Sequence, residues 1–361
     1  MLAIGLMSGT SRDGIDAALI ETDGDGLVKP VAFHAQAYQD GFRVRLAEAC
    51  ARAMTMDAPG FEPLIASVEA ELTELHVEAV ADLLGRSGHV AEDVGVIGFH
   101  GHTVAHRPDR RWTWRIGDGA ALAGAFGIAV VGDLRSADVA AGGQGAPLLP
   151  VYHRALAAGL EKPVAILNLG GVANITAIGS DGALTAFDTG MASGLIDNWM
   201  QAHGDLAYDA GGACAAQGRV DEARLGAMLA DPWFAAPPPK SIDREAFTIE
   251  AVQGLDLEDG AATLTAFSAA AVARGIDHLA ERPLCLHVAG GGRHNRTLMA
   301  MLAERCRVDV RSVDALGWDG DALEAQGFAY MAVRHLAGLP ISFPGTTGAP
   351  APMTGGVLFR A

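Results

Sequence analysis

Lysine is nearly absent from this chain: only Lys29, Lys162 and Lys240 occur in 361 residues. Arg and Lys together number 26 against 43 Asp and Glu, a formal charge of −17. Such a surface repels nucleic acid and anionic membranes, which both need clustered cations, so neither is expected as a partner. None of the three lysines follows a glycine, so no GxxxxGK[ST] loop exists and P-loop chemistry is excluded. Cysteine is scarce as well. Cys50, Cys214, Cys285 and Cys306 are scattered without CxxC spacing and read as reduced packing residues. Half of the residues are hydrophobic, but Gly, Asp and Arg break them into short runs. None approaches the roughly 20 apolar residues that span a bilayer. The opening Met1 to Met7 has no basic residue before it and meets Ser8 and Gly9 at once, so it reads as a buried strand and not as a leader. The cytoplasm is the expected compartment.

What is present is an α/β pattern. The chain is longer than one hydrophobic core usually supports, which predicts two domains. Strands are expected at Leu2 to Met7, Ile15 to Thr22 and Val31 to Tyr38, with the first two joined by the turn-rich Ser8 to Gly14. Leu64, Val68, Leu72, Leu75 and Leu83 recur at helical spacing, predicting a helix over Glu62 to Leu84 that Gly85 stops. Further strands are expected at Val94 to Phe99, Trp112 to Ile116 and Ile128 to Gly132, with a His- and Arg-rich loop after the first and a short helix opening at Gly117-Asp118-Gly119. The pattern then restarts. Val164 to Leu169 and Asn174 to Ile178 flank Gly170-Gly171, and Leu184 to Asp188 runs through Thr189-Gly190 into a helix over Ser193 to His203. Strand, glycine turn, strand near the start of each half suggests two similar layers with a ligand between them. Pro237 to Lys240 reads as a rigid surface or rim loop.

An anionic substrate on so acidic a chain must be held locally, by backbone amides, a few arginines and a divalent cation. Three glycine turns at strand ends offer amides: Gly9 to Gly14, Gly170-Gly171 and Gly290-Gly291-Gly292. Each alone is weak. Their occurrence with Asp188-Thr189-Gly190 is stronger, because a carboxylate at a strand end can face a ligand while amides at the following helix start receive phosphate oxygens. From the residues alone, Asp188 is as readily a turn or capping residue as a base. Asp13 and Asp16 fit either a simple Asp-Gly turn and its neighbour or Mg²⁺ support. His100, His102 and His106 could share one face of an extended chain, but no cysteine or tight carboxylate completes a metal set, and a cleft-lining loop is the better account.

In order along almost the whole chain, a set of motifs resembles the anhydro-N-acetylmuramic acid kinases. They begin with Gly5-Leu6-Met7-Ser8-Gly9-Thr10-Ser11-Arg12-Asp13-Gly14-Ile15-Asp16, His100-Gly101-His102-Thr103-Val104 and Ile116-Gly117-Asp118-Gly119. Asp133-Leu134-Arg135 through Gly143-Gln144-Gly145-Ala146-Pro147, Asn168-Leu169-Gly170-Gly171-Val172-Ala173-Asn174 and Phe187-Asp188-Thr189-Gly190 follow. Pro238-Pro239-Lys240-Ser241, Gly290-Gly291-Gly292-Arg293-His294-Asn295, Asp321-Ala322-Leu323-Glu324-Ala325 and Thr346-Thr347-Gly348-Ala349 complete the set. Two positions depart from it: the family usually has an apolar residue at Arg12 and Gln at His102.

The resemblance implies the sugar-kinase/heat-shock-chaperone/actin fold, with two ribonuclease-H-like domains of mixed sheet and helices around a central nucleotide cleft. The first domain is expected over 1–135, with 345–361 a candidate to return to it, and the second over 136–344. ATP and Mg²⁺ are the implied cofactors, a small amino sugar the implied substrate, and a homodimer the implied assembly. The family opens the 1,6-anhydro ring of anhydro-N-acetylmuramic acid with water and phosphorylates the freed 6-oxygen, in cell-wall recycling. By this resemblance Gly9, Thr10, Ser11, Arg12, Asp13, Gly14, Ile15 and Asp16 form the nucleotide phosphate loop, joined by Gly170 and Gly171. Gly290, Gly291, Gly292 and Asn295 take the adenosine side, Asp188 is the catalytic base, and Arg135 and Glu324 contact the sugar. No metal ligand is assigned. The competing expectations are a kinase of the same superfamily acting on another small sugar, and a non-catalytic ATP-binding sensor.

Overall fold

A computed structural model describes residues 1–9, 11–242 and 246–361. Its first strands are β1 (Leu2–Met7), β2 (Gly14–Thr22) and β3 (Val28–Ala37), followed by helices α1 (Asp40–Met54) and α2 (Pro63–Ser87). The Glu62 side chain accepts from the Ile65 amide at 2.9 Å and Pro63 opens the first turn of α2. The helix runs past Gly85 and stops at Gly88, whose φ of 73° is left-handed; Gly85 has helical neighbours on both sides and no such strain. Next come β4 (Val94–Phe99), β5 (His102–Arg107), β6 (Trp112–Ile116), α3 (Gly119–Phe126), β7 (Val130–Gly132), α4 (Ser136–Ala141) and α5 (Pro150–Leu156). The expected His-rich loop is thus largely a strand: His102 and His106 lie on β5, paired antiparallel with β6 in a two-stranded sheet.

The second half carries β8 (Val164–Leu169), β9 (Val172–Ile178), β10 (Leu184–Met191), α6 (Ser193–Gly204), α7 (Glu222–Leu229), α8 (Leu257–Asp277), β11 (Cys285–Ala289), α9 (Arg296–Cys306) and β12 (Asp309–Ser312). The chain ends with α10 (Leu323–Leu336), α11 (Pro344–Thr347) and β13 (Val357–Phe359).

By packing, these elements form two compact units, Met1–Ala158 with Ala322–Ala361, and Gly159–Asp321. The boundaries therefore lie beyond 135/136 and before 344/345. The cause is α10, which packs on β1, β2 and β4 of the first unit. Gly5 and Gly98 stand opposite one another on β1 and β4. A side chain at Gly5 would overlap the Ala325 carbonyl oxygen, and one at Gly98 the Phe328 carbonyl oxygen. Two bare strand positions side by side let the backbone of α10 lie directly on the sheet.

The first unit has a six-stranded sheet in the order β13-β7-β4-β1-β2-β3, and the second a five-stranded sheet in the order β10-β9-β8-β11-β12. In each, three antiparallel strands joined by short connections are followed by parallel strands on the far side of the first. Apart from β13, which adds an antiparallel edge to the first sheet, the two units share one topology, as expected of paired ribonuclease-H-like domains. Ile4, Leu6, Ile15 and Leu19 bury against Leu46, Val68, Leu72 and Leu83 in the first core. Leu167, Ile175 and Phe187 bury against Val272, Ile276 and Leu298 in the second. Among the described residues no helix is long and apolar enough to cross a membrane, and the four cysteines are unpaired.

Candidate active site

The β1–β2 turn of the first unit is built to curve back on itself. The Arg12 amide donates to the Gly9 carbonyl at 3.1 Å, and Arg12 takes a left-handed φ of 56°. Ser11 Oγ donates to Asp13 Oδ1 at 2.6 Å, and Arg43 Nε donates to the Arg12 carbonyl at 3.1 Å. A side chain at Gly14 would overlap the Gln36 carbonyl on β3, so that glycine is needed for packing. At Gly9 the nearest atoms to a Cβ would be 3.6 and 3.7 Å away, ordinary contact, so packing does not demand glycine there. Ile15 is fully buried in the core, and Asp16 pairs with Met7 and Ala35 across β2. Thr10 lies outside the described residues. Arg12 does not simply point to solvent: its charge lies near Cys50 and His102.

Behind this turn, Ser8 is a junction. Its Oγ pairs with the Tyr38 hydroxyl at 2.7 Å and with His102 Nδ1 at 2.9 Å. Its carbonyl faces His100 Nδ1 at 3.2 Å. Burial, then the Arg12 charge, lowers His102 to about 4 and keeps it neutral. His100, His102 and His106 do not converge on a common point, since His106 turns to Thr113 Oγ1 and the Gln144 carbonyl. Among the described residues no group of three metal-liganding side chains occurs.

Arg135, at the start of α4, is held firmly. Its Nη1 donates to the Gly145 carbonyl at 2.8 Å, while Nε and Nη2 reach His100 Nε2 at 3.3 and 3.2 Å. Burial and the neighbouring Arg115 lower Arg135 to about 10, and Glu324 opposes that shift through its charge; Arg135 stays cationic at neutral pH. Arg135 and Glu324, far apart in sequence, are therefore brought together. Arg115 donates to the His100 carbonyl at 3.2 Å and pairs with Asp133.

In the second unit, Asp188 sits on β10 where the register with β9 shifts between Asp188 and Gly190. Gly190 takes a φ of 145°, and a Cβ there would come within 2.9 Å of Ala271 Cβ. Asn174 stands opposite Asp188 and donates from Nδ2 to Oδ1 at 2.9 Å. The Ile242 amide donates to Oδ2 at 2.9 Å, and the Asp188 amide donates to the Lys240 carbonyl at 3.0 Å. Lys240 Nζ is anchored on the Trp233 and Phe234 carbonyls, so the proline-rich loop is tied in place behind the carboxylate. Desolvation raises Asp188 to about 6 against the pull of these two hydrogen bonds. It remains mostly ionised at neutral pH and is a stronger base than an ordinary carboxylate.

The helix start after Asp188 is less open than the sequence suggests. The amides of Ser193 and Gly194 donate to the carbonyls of Gly170 and Gly171 at 2.9 and 3.3 Å, so they are already engaged. Gly290 takes a φ of 76° where a side chain would overlap Asn168 Oδ1, and its carbonyl accepts from Arg293. A Cβ at Gly291 would meet nothing within 4 Å, whereas one at Gly292 would lie 2.6 Å from Leu169 Cβ. Asn295 caps α9, accepting from the Leu298 amide at 2.9 Å.

The family model described as anhydro-N-acetylmuramic acid kinase matches residues 1–361. This chain belongs to that family. A protein of Rhizorhabdus wittichii named anhydro-N-acetylmuramic acid kinase is 63% identical over 361 residues, covering 100% of this chain and 99% of its own. One of the same name from Zymomonas mobilis is 54% identical over 360 residues, covering 99% of each. A more distant likeness shows the fold alone. Component A of the (R)-2-hydroxyglutaryl-CoA dehydratase of Acidaminococcus fermentans matches 93% of this chain and 99% of its own, at 12% identity and a TM-score of 0.51. For this family member, sequence reading named Asp188 but missed the groups that grip it. Asn174 and the Ile242 amide are visible only once β9 and β10 are in register. The contact of the His100 ring with Arg135 is likewise visible only in the folded chain.

Proposed function

We propose that this family member is an ATP-dependent kinase that hydrolytically opens 1,6-anhydro-N-acetylmuramic acid and phosphorylates its 6-oxygen. The product is N-acetylmuramic acid 6-phosphate, made for peptidoglycan recycling. Asp188 takes a proton from water as that water attacks the anomeric carbon. The bond from that carbon to the bridging 6-oxygen breaks, and the 6-oxygen attacks the γ-phosphorus of ATP, releasing ADP. The observation that carries this reading is a carboxylate gripped at both oxygens, raised to about 6, within a family match that covers the whole chain. Two fixed donors orient the oxygens, and desolvation makes the group more basic without neutralising it. Arg135 and Glu324 contact the sugar, and the Gly9 to Asp16 turn receives the phosphates through backbone amides.

Asp13 is exposed beside the turn and Asp16 half-buried on β2. As carboxylates next to the turn read as the phosphate loop, these two are donors of the kind that would hold a magnesium ion arriving with the nucleotide. Such an ion takes one or two carboxylates besides phosphate oxygens and would neutralise charge on the transferring group. The reading includes a cytoplasmic, homodimeric enzyme on the strength of the family resemblance.

The test is turnover in ¹⁸O-water. Label is expected in the anomeric hydroxyl and not in the ester oxygen of the 6-phosphate. Asp188→Asn is expected to lose about a hundredfold or more in turnover, the usual scale for a lost general base. Label in the ester oxygen, or a fully active Asp188→Asn enzyme, overturns the coupled reaction.

A further inference from the structure

The His100 ring bonds both the Ser8 carbonyl, at the start of the phosphate turn, and the guanidinium of Arg135. Its two nitrogens face opposite chemistry. Nδ1 faces the carbonyl oxygens of Gly101 at 2.8 Å and Ser8 at 3.2 Å, which can only accept. Nε2 faces Nε and Nη2 of Arg135, which can only donate. One arrangement satisfies all four: the neutral ring with its hydrogen on Nδ1 and its lone pair on Nε2. A doubly protonated ring would turn an N–H toward a guanidinium and lose both contacts. The setting enforces neutrality, since the ring is buried between Arg115 and Arg135 and its pKa lies well below the usual value. Phe328 of α10 lies against the ring at 4.8 Å between centroids, and the His100 carbonyl accepts from Arg115, so ring and backbone are both fixed.

We propose that His100 is the positioning residue for Arg135, presenting the Nε2 lone pair of its Nδ1–H tautomer so that the arginine is held by one edge and turned toward the sugar. This rests on the reading of Arg135 as a sugar contact. His100 takes Nε and one hydrogen of Nη2, Gly145 takes one of Nη1, and each Nη nitrogen carries a second hydrogen. A fork that binds two oxygens is useful only if its plane is fixed, and an arginine side chain alone has several rotatable bonds. His100 supplies the second point of attachment; Gly145 alone would leave a pivot. The contact to the Ser8 carbonyl also ties the arginine to the end of β1, next to the turn assigned to phosphate.

The test compares His100→Leu, His100→Gln and His100→Asn, each alone and in an Arg135→Ala background, by steady-state kinetics varying the sugar and ATP separately. Gln can carry an acceptor out to the Nε2 position, whereas Asn is too short and Leu has none. His100→Leu and His100→Asn are expected to raise the sugar KM about tenfold to a hundredfold, the scale for losing a partner that orients a ligand-binding group. The ATP KM should stay unchanged, and Gln should recover most of the loss. In the Arg135→Ala background the same His100 changes should cost nothing further, because the group they position is gone. Additive losses, equal behaviour of Gln and Asn, or wild-type sugar kinetics in His100→Asn overturn the proposal. If His100→Leu does not fold, the Gln and Asn comparison still decides. Wild-type sugar kinetics in Arg135→Ala itself overturn the sugar-contact reading instead, so the two failures are distinguishable.

Discussion

Replacing Asn174 by Leu should move the acid limb of the pH–rate profile upward. Asp188 must be ionised to act as a base, so activity falls as pH drops through its pKa. With that pKa at about 6, about nine-tenths of the carboxyl is ionised at pH 7. Asn174 donates one of its two side-chain hydrogen bonds, at 2.9 Å. A hydrogen bond to a charged group is worth about 1.5–3 kcal/mol, and one pKa unit corresponds to about 1.4 kcal/mol. Losing it raises the pKa by about one to two units, with the lower end favoured because Asp188 is only half-buried and partly screened. At pH 7 the ionised fraction then drops to between about a half and a tenth, and kcat/KM drops in proportion. By about pH 9 the variant should regain most of its activity, which a merely misfolded site would not do. The assay is ADP release with the anhydro sugar at low concentration, from pH 5 to pH 9, on protein whose melting temperature matches wild type. An acid limb that stays in place, with activity lowered equally at every pH, would falsify the assignment of that limb to Asp188.

The same carboxyl affects stability in the opposite sense to most acids. Its folded pKa lies above the unfolded value, so the folded state binds the proton more tightly, and stability falls as pH rises from about 4 to about 6. Asp188→Asn should therefore melt higher than wild type at pH 7, and scanning calorimetry should show the gap closing as pH falls toward 4; a variant less stable at pH 7 contradicts the desolvation argument. Gly9→Val should fold normally, because a Cβ there meets only ordinary contacts, yet bind ATP more weakly by calorimetry; unchanged affinity removes Gly9 from the phosphate site. Gly98→Ala should lose at least about 2 kcal/mol in urea denaturation, because the new methyl group strikes the backbone of α10 and not a side chain that could rotate away. A variant as stable as wild type would mean that α10 can shift without cost.

Local elements were legible in the sequence wherever one strand or helix carries its own signal. β1, β4 and β8 appear as apolar runs ended by turns, and the short helix expected to open at Gly117-Asp118-Gly119 is α3, whose first amides, those of Ala120 and Ala121, donate to Asp118. Relations across the chain were not legible. Nothing in residues 323–336 says that this helix docks on β1 and β4; the evidence is split between two glycines in one part of the chain and a backbone in another. β5 was hidden because its histidines and arginine look like a loop, although pairing with β6 satisfies its backbone. The site followed the same rule. Asp188 was found from its strand end and motif, whereas Asn174 depends on a register that composition does not encode. The open helix start expected after Asp188 failed because the carbonyls of Gly170 and Gly171 return to meet its amides.

The seat of α10 on Gly5 and Gly98 also orders events during synthesis. The second unit, Gly159–Asp321, is one continuous stretch, whereas the first needs Ala322–Ala361 to finish. A ribosome adding about 5–20 residues per second takes on the order of ten to thirty seconds to cross that stretch. Through that interval β1 and β4 stand with their glycine strip uncovered, and at its end the second unit has all its residues while the first still lacks α10. The unit begun second is thus the first that can close, and the unit begun first stays unfinished until α10 arrives. Any chaperone that attends this chain as it grows should meet the bare face of the first sheet.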